Sequence, residues 1–273
     1  MRITGMKTRK YFAAAGISLR DRLAYRGNFA GALVTYGLFV FVFSRIWATV
    51  YADKAEIASY TRVMCVWYFV VAEVVAYGFG RFYWTLDREL KNGQIAYLVA
   101  RPYSFTLFQY FQAMGPALAE SAILLAEGAL IAFLGTGAPP GSGGGAGGEI
   151  LRGACLLASL MLAGSVSFLF QLCIAMTAFW FEENAAFFWI FQKFTLIAGT
   201  LLPLEFLPEG ARNLARFTPF PAMAYAPARI MAAFSARGAA ALIGTQILWL
   251  AVGAALASVV YSRGARRLAV NGG

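Results

Sequence analysis

Four ionisable residues stand inside long apolar runs: Glu73, Glu120, Glu127 and Lys193. A charge facing hydrocarbon costs about 2.5–3.5 kcal/mol on insertion scales, so such side chains are expected to face protein or water. At about 1.5 Å per helical residue, Glu73, Glu120 and Lys193 fall in the middle third of a bilayer. Glu120 and Glu127 are seven residues apart and share a helical face. Two chemistries suit this set. Lys193 could pair with a carboxylate and fix helix packing, or the carboxylates could carry protons or ions along a path.

The chemistry that is missing narrows the choice. The chain has no His, which removes the commonest general base and metal ligand. Cys65, Cys155 and Cys173 sit singly in apolar runs, so neither a metal site nor a disulfide framework is expected. The run from Gly141 to Gly148 contains no Lys and follows no buried strand. It reads as a flexible linker, not a phosphate loop. No nucleophile–base pair is recognisable. The chain is therefore expected not to be an enzyme and to carry no cofactor or metal of its own.

The elements that hold these residues are membrane helices. Of the 273 residues, 60% are hydrophobic and 13% charged, too apolar a balance for a soluble domain. The apolar runs are continuous over about 20 residues, which suits helices crossing a ~30 Å core and not barrel strands. An all-α integral membrane fold with six spans is expected, near 28–51, 60–80, 105–134, 151–180, 185–202 and 239–261. Residues 1–27 carry Arg2, Lys7, Arg9, Lys10, Arg20, Arg22 and Arg26, with Phe12, Ala15, Leu19 and Leu23 at helical spacing. That is the pattern of an amphipathic helix lying in the membrane interface, with no cleavable signal peptide. Residues 28–273 form the membrane domain.

Lys and Arg set the orientation. They crowd the first 27 residues, the 81–104 connection and the tail after 261, whereas 52–59 holds only Lys54 and 135–148 none. Both termini are therefore expected in the cytoplasm. The net charge of +10 expresses this bias and not a nucleic-acid partner. The 203–238 stretch carries Arg212, Arg216, Arg229 and Arg237 against the trend.

Two connections stand out. The 81–104 segment holds Asp87, Arg88, Glu89 and Lys91 between two spans and is expected to be a cytoplasmic docking element. The 203–238 stretch is interrupted by Pro203, Pro208, Pro219, Pro221 and Pro227, with Leu204, Phe206, Leu207, Leu214, Phe217 and Phe220 in the gaps. Such a pattern predicts re-entrant half-helices ended by Pro208 and Pro219, with Glu205, Glu209 and Arg212 at a wet outer edge. Broken helices at membrane depth survive only against protein or a cavity, so this stretch is expected beside a pathway.

The segment Asn92-Gly93-Gln94-Ile95-Ala96-Tyr97-Leu98-Val99-Ala100-Arg101-Pro102 resembles the cytoplasmic loop of type-2 ATP-binding-cassette exporter permeases. Leu202 to Glu209, continuing to Phe217-Thr218-Pro219-Phe220, is similar to that family's Pro-rich stretch between the fifth and sixth spans. The Gly-rich 135–148 loop is an expansion on that pattern. The resemblance implies a permease subunit of an exporter in the bacterial inner membrane, surrounded by lipid and paired with a second, identical or related, permease chain. A separate ATPase subunit would hold ATP and Mg. It would dock on Asp87, Arg88, Glu89, Lys91, Gly93, Arg101 and Pro102, with Phe82, Tyr83, Trp84 and Leu86 anchoring at the membrane surface. An outer gate would comprise Pro203, Glu205, Pro208, Glu209 and Pro219. The alternative from the residues alone is a secondary transporter or channel that uses Glu73, Glu120 and Lys193 for ion coupling.

Overall fold

The computed structural model describes residues 2–24, 26–92, 104–141 and 143–271. Among them there are helices and no strand. In chain order these are α1 (Arg2–Ala24), α2 (Arg26–Val50), α3 (Arg62–Phe79), α4 (Phe82–Lys91), α5 (Phe105–Thr136) and α6 (Gly145–Met176). There follow α7 (Ala185–Thr195), α8 (Glu209–Arg216), α9 (Phe220–Met223), α10 (Tyr225–Ala232) and α11 (Ala236–Asn271).

Five helical stretches are long and apolar enough to cross a membrane: Ala30–Val50, Arg62–Lys91, Phe105–Thr136, Gly145–Phe179 and Ala236–Gly264. The expected fifth span differs. Its helix, Ala185–Thr200, is shorter, about 24 Å at 1.5 Å per residue. Its last turn, Leu196–Thr200, is a π turn in which Gly199 is extended at φ 179°. The apolar run continues through Leu202, but the backbone leaves the helix before Pro203 can stop it. The second span departs the other way. After a break at Gly80 and Arg81 it resumes as α4, so Asp87 to Lys91 lie on a helix. The Gly-rich connection is also shorter than its composition suggests, because Gly145 to Gly148 form the first turn of α6.

The helix α3 is apolar nearly all round, the pattern of a helix buried on every face. Residues 65–75 are all buried, and α2, α5, α6 and α10 surround it. Small residues let these helices approach. A Cβ on Gly128 would lie 2.0 Å from Tyr36 Oη and 2.9 Å from Val70 Cγ1. Tyr36 is fully buried and donates to the Val70 carbonyl at 3.2 Å, so it cannot swing away cheaply. Gly128→Val is therefore expected to cost about 1–3 kcal/mol by overpacking. A melting midpoint in detergent equal to that of the native chain would refute this.

The bundle has two distinct ends. At one, Arg62 donates to the Gly135 carbonyl at 3.1 Å, Arg152 donates to the Pro140 carbonyl, and Tyr60 donates to Glu205. These contacts gather the 52–60, 135–144 and 203–235 connections. At the other, Tyr11 accepts from the Ser104 N–H at 3.2 Å, Tyr83 meets Asn184, and Phe105 stacks on Tyr261 at 5.4 Å. This end collects α1, α4, the α6–α7 turn and the last turns of α11. Of these, α1, α4 and the last turns of α11 are grouped by their Lys and Arg content; the α6–α7 turn holds neither. The helix α1 lies along α5, with Tyr11 and Phe12 against Phe111 at 5.7 and 5.1 Å.

Candidate functional site

The break between α3 and α4 is where charged helix and buried span meet. A broken helix frees backbone groups that must find partners away from water. Gln171 of α6, 2% exposed, supplies two. Its Nε2 donates to the Phe79 carbonyl at 2.8 Å, and its Oε1 accepts from the Tyr83 N–H at 3.0 Å. Gln192 of α7 donates to the Gly80 carbonyl at 3.3 Å. One turn on, the Tyr83 hydroxyl donates to Asn184 Oδ1 at 2.6 Å, and the Tyr83 ring stacks on Phe188 at 4.3 Å. Asn184 in turn donates to the Ile174 and Ala175 carbonyls, at 3.2 and 3.1 Å, where α6 ends. The helix α4 is thus bolted to the end of α6 and the start of α7.

This bolting changes what α4 can present. Phe82, Tyr83 and Leu86 are buried in protein and do not anchor at a membrane surface; Trp84 is exposed. Asp87 is buried and pairs with Lys91 at 3.2 Å. Glu89 turns inward and accepts a hydrogen bond from Gln109. Arg88 and Lys91 are the charged side chains of α4 that stay exposed, and Lys91 also lies 4.0 Å from Glu183. Gly93, Arg101 and Pro102 lie outside the described residues.

The outer stretch is built around Glu205. Its Oε1 accepts from the Tyr225 hydroxyl at 2.7 Å and from Arg229 Nε at 3.2 Å; its Oε2 accepts from the Tyr60 hydroxyl at 3.1 Å. Arg229 also lies over the Tyr60 ring at 5.6 Å. Burial, reinforced by the Glu205 charge, pushes both phenols well above their usual range, so both stay protonated donors at any physiological pH. Glu205, half-buried, is therefore a clasp joining the 203–229 stretch to Tyr60, just before α3. Glu209 and Pro208 are exposed, and Pro203 is buried. Pro208 and Pro219 stand immediately before α8 and α9, so they begin short helices where they were expected to end them. Leu214 and Phe217 are exposed, whereas α9 and α10 are largely buried, with α10 packed on α3 and α6.

The four intramembrane ionisable residues are not brought together. Glu120 faces Arg81 across 3.9 Å. Glu73 is buried on α3 beside Tyr36 and Tyr77, and Glu127 lies next to Gly37 of α2. Lys193 is exposed, and among the described residues no carboxylate pairs with it. Glu73 and Glu127 both lie near Tyr36, but among the described residues no continuous relay links them to Glu120.

The charged helix α4 thus lies at one end of the bundle and the Pro-started short helices at the other, and residues 93–102 of the segment that carries the resemblance lie outside the described residues. The family described as ABC-2 family transporter protein matches residues 39–272. The chain belongs to the ABC-2 transporter family. No curated protein matches it. As an ABC-2 member it is a multi-pass membrane protein and a transmembrane transport subunit. The residues that organise this ABC-2 subunit, Gln171, Asn184 and Gln192 at one end and Tyr60, Tyr225 and Arg229 at the other, were not singled out from sequence. A signal existed for the amides: Gln171 and Gln192 interrupt apolar runs as plainly as Glu73 does. An amide in hydrocarbon also needs partners, so each marks a buried contact as a charge does.

Proposed function

We propose that this chain is the permease subunit of an ATP-driven exporter and that α4 is its docking helix for a separate ATPase subunit. The observation that carries the reading is the α3–α4 break. A short charged helix hangs from the most buried span and is fastened to two others, so a push on α4 reaches α3, α6 and α7 together. Arg88 and Lys91 suit an acidic surface on the ATPase, which would hold ATP and Mg. Ala185–Thr200 together with the outer stretch makes the remaining crossing, giving six passages, with both termini in the cytoplasm of a bacterial inner membrane. The 203–229 stretch is a re-entrant outer gate clasped by Glu205, with Glu209 and Pro219 at its short-helix starts. Gly93, Arg101 and Pro102 complete the docking loop. A second permease chain faces α7. Lys193 is exposed in the last turn of that helix beside Trp189, Ile190 and Phe194, and a cation facing bare lipid is unfavourable.

Arg88 tests the docking role because among the described residues no ion pair engages it. Arg88→Glu is expected to lower the ATPase recovered with the affinity-purified chain by roughly tenfold at low salt, leaving membrane insertion unchanged. Unchanged recovery, or no ATPase with the native chain, would sink the reading.

A further inference from the structure

A cavity of about 160 Å³ lies between the end of α3, α6, α7 with its π turn, and α9. Its walls are mostly apolar, as at Val75, Phe79 and Met223. Among the described residues that line it, Lys193 is the one ionisable side chain, and no carboxylate accompanies it. Lys193 lies eight residues beyond Ala185, the start of α7. At about 1.5 Å per residue that is some 12 Å along the helix, near the middle of a ~30 Å hydrocarbon core. Its ammonium makes no hydrogen bond or ion pair among the described residues. A bare cation at this depth is costly, so the position calls for a counter-charge.

The other polar groups of the lining set the sign of a guest. Ser167 of α6 is 5% exposed, and its hydroxyl has no partner among the described residues. Gln192 spends one of its two amide N–H groups on the Gly80 carbonyl and keeps the other. Thr195 and Thr200 donate to the Phe191 and Thr195 carbonyls, so their protons are taken. The lining thus offers unspent protons on an ammonium, a hydroxyl and an amide. That set, without a carboxylate, suits an oxyanion. The volume suits a head group alone, since sites for whole drug-sized ligands run to ~300–1,000 Å³. An attached apolar chain has a place just outside. Ile190, Phe194 and Ile197 are exposed and recur with Lys193 at helical spacing.

We propose that this cavity binds the anionic head of an amphiphile, held by Lys193 and Ser167, with the tail along Ile190, Phe194 and Ile197. The proposal rests on the transport reading for its purpose: where that reading sets a second permease chain against α7, the amphiphile is what the two chains enclose. It does not rest on that reading for its test, because binding is measured on the full permease chain without any ATPase.

The probe is radiolabelled myristate, with radiolabelled tetradecyltrimethylammonium as the cationic match, on chain purified in a neutral maltoside detergent. The native chain is expected to bind myristate saturably and the cation at least tenfold more weakly. Lys193→Met should weaken myristate binding about tenfold, the scale of one charged hydrogen bond. Lys193→Arg keeps the charge and should restore most of it. Ser167→Ala should weaken binding about fivefold, the scale of one neutral hydrogen bond. Lys193 is exposed and has no partner to lose, so Lys193→Met should melt no lower than the native chain and separate lost binding from lost folding. Displacement of myristate by phosphatidylglycerol and not by phosphatidylethanolamine would identify an anionic membrane lipid as the occupant. Displacement by neither would identify a single-chain acid as cargo. Equal binding of the two probes, or full binding by both Lys193→Met and Ser167→Ala, would overturn the site. Loss of the site with intact ATPase recovery would leave the transport reading standing, and saturable myristate binding by a chain that recovers no ATPase would leave the site standing alone.

Discussion

Glu205→Ala is expected to lower the stability of the outer stretch by about 2–3 kcal/mol and to abolish controlled export. The substitution strips three donors at once: Tyr60, Tyr225 and Arg229. Charged hydrogen bonds contribute roughly 1.5–3 kcal/mol each, and removing one partner of a buried pair leaves the other charge uncompensated. Arg229 and Glu205 are 30% and 26% exposed, so water recovers part of that loss and the full sum is not expected. Glu205→Gln keeps an acceptor for one hydroxyl and should fall between the native chain and the Ala variant. The decisive measurement is a double-mutant cycle of Glu205→Gln with Arg229→Met, read by detergent melting and by external thiol labelling of Glu209→Cys and Phe206→Cys. A coupling energy of about 1 kcal/mol or more, with Phe206→Cys becoming labelled only when the clasp is cut, supports the latch. Additive effects and unchanged labelling would dismiss it.

The fold class was plain in the sequence because burial in lipid leaves a coarse mark. Apolar runs and Lys or Arg placement are local quantities, and they gave four of the spans within a few residues and the grouping of loops into two ends. What was hidden depends on backbone geometry that composition does not record. Nothing in Phe79-Gly80-Arg81-Phe82 distinguishes a span that ends from one that breaks and resumes, because its freed groups are taken up by Gln171, a residue 88 positions beyond Tyr83. Nothing in Leu196 to Leu202 says that the chain unwinds at Gly199. There the Tyr68 hydroxyl donates to the Gly199 carbonyl from another helix, so the unwound backbone is satisfied at long range.

The docking segment was legible as a charged island and misread in its detail. Charge alone suggested that Asp87 and Glu89 reach outward with Arg88 and Lys91. On a helix, however, neighbours in sequence point in different directions, and residues three or four apart share a face. The helical phase puts Phe82, Tyr83, Leu86 and Leu90 on the buried side, and Asp87 beside them is drawn in with Lys91 as its partner. The periodicity needed for this reading was present in the sequence, but it applies only once Phe82–Lys91 is known to be helical.

Gln171→Leu is expected to separate ATP hydrolysis from transport. Leu nearly matches the size of Gln, so packing around α6 survives, while both hydrogen bonds across the α3–α4 break are lost. The Phe79 carbonyl and the Tyr83 N–H are then left without their partner in an apolar interior, at roughly 1–3 kcal/mol each. The cheapest relief is for the chain at Gly80 and Arg81 to loosen, which turns a clamped joint into a free one. The exposed Arg88 face of α4 is untouched, so the ATPase should still co-purify and still hydrolyse ATP. Movement of α4 would no longer be passed to α3 and α6, and export should fall about tenfold or more, the effect of losing a coupling of some 1.4 kcal/mol. Gln192→Leu removes only the 3.3 Å bond to the Gly80 carbonyl from a half-buried position and should uncouple less, at little cost in melting. Tyr83→Phe keeps the stack on Phe188 and breaks only the bond to Asn184, so it tests the lower bolt by itself. The readout that a merely structural role would not move is the ratio of export to ATP hydrolysis in reconstituted vesicles. If that ratio holds in all three variants while stability falls, the brace serves folding alone and α4 must reach the spans by another route.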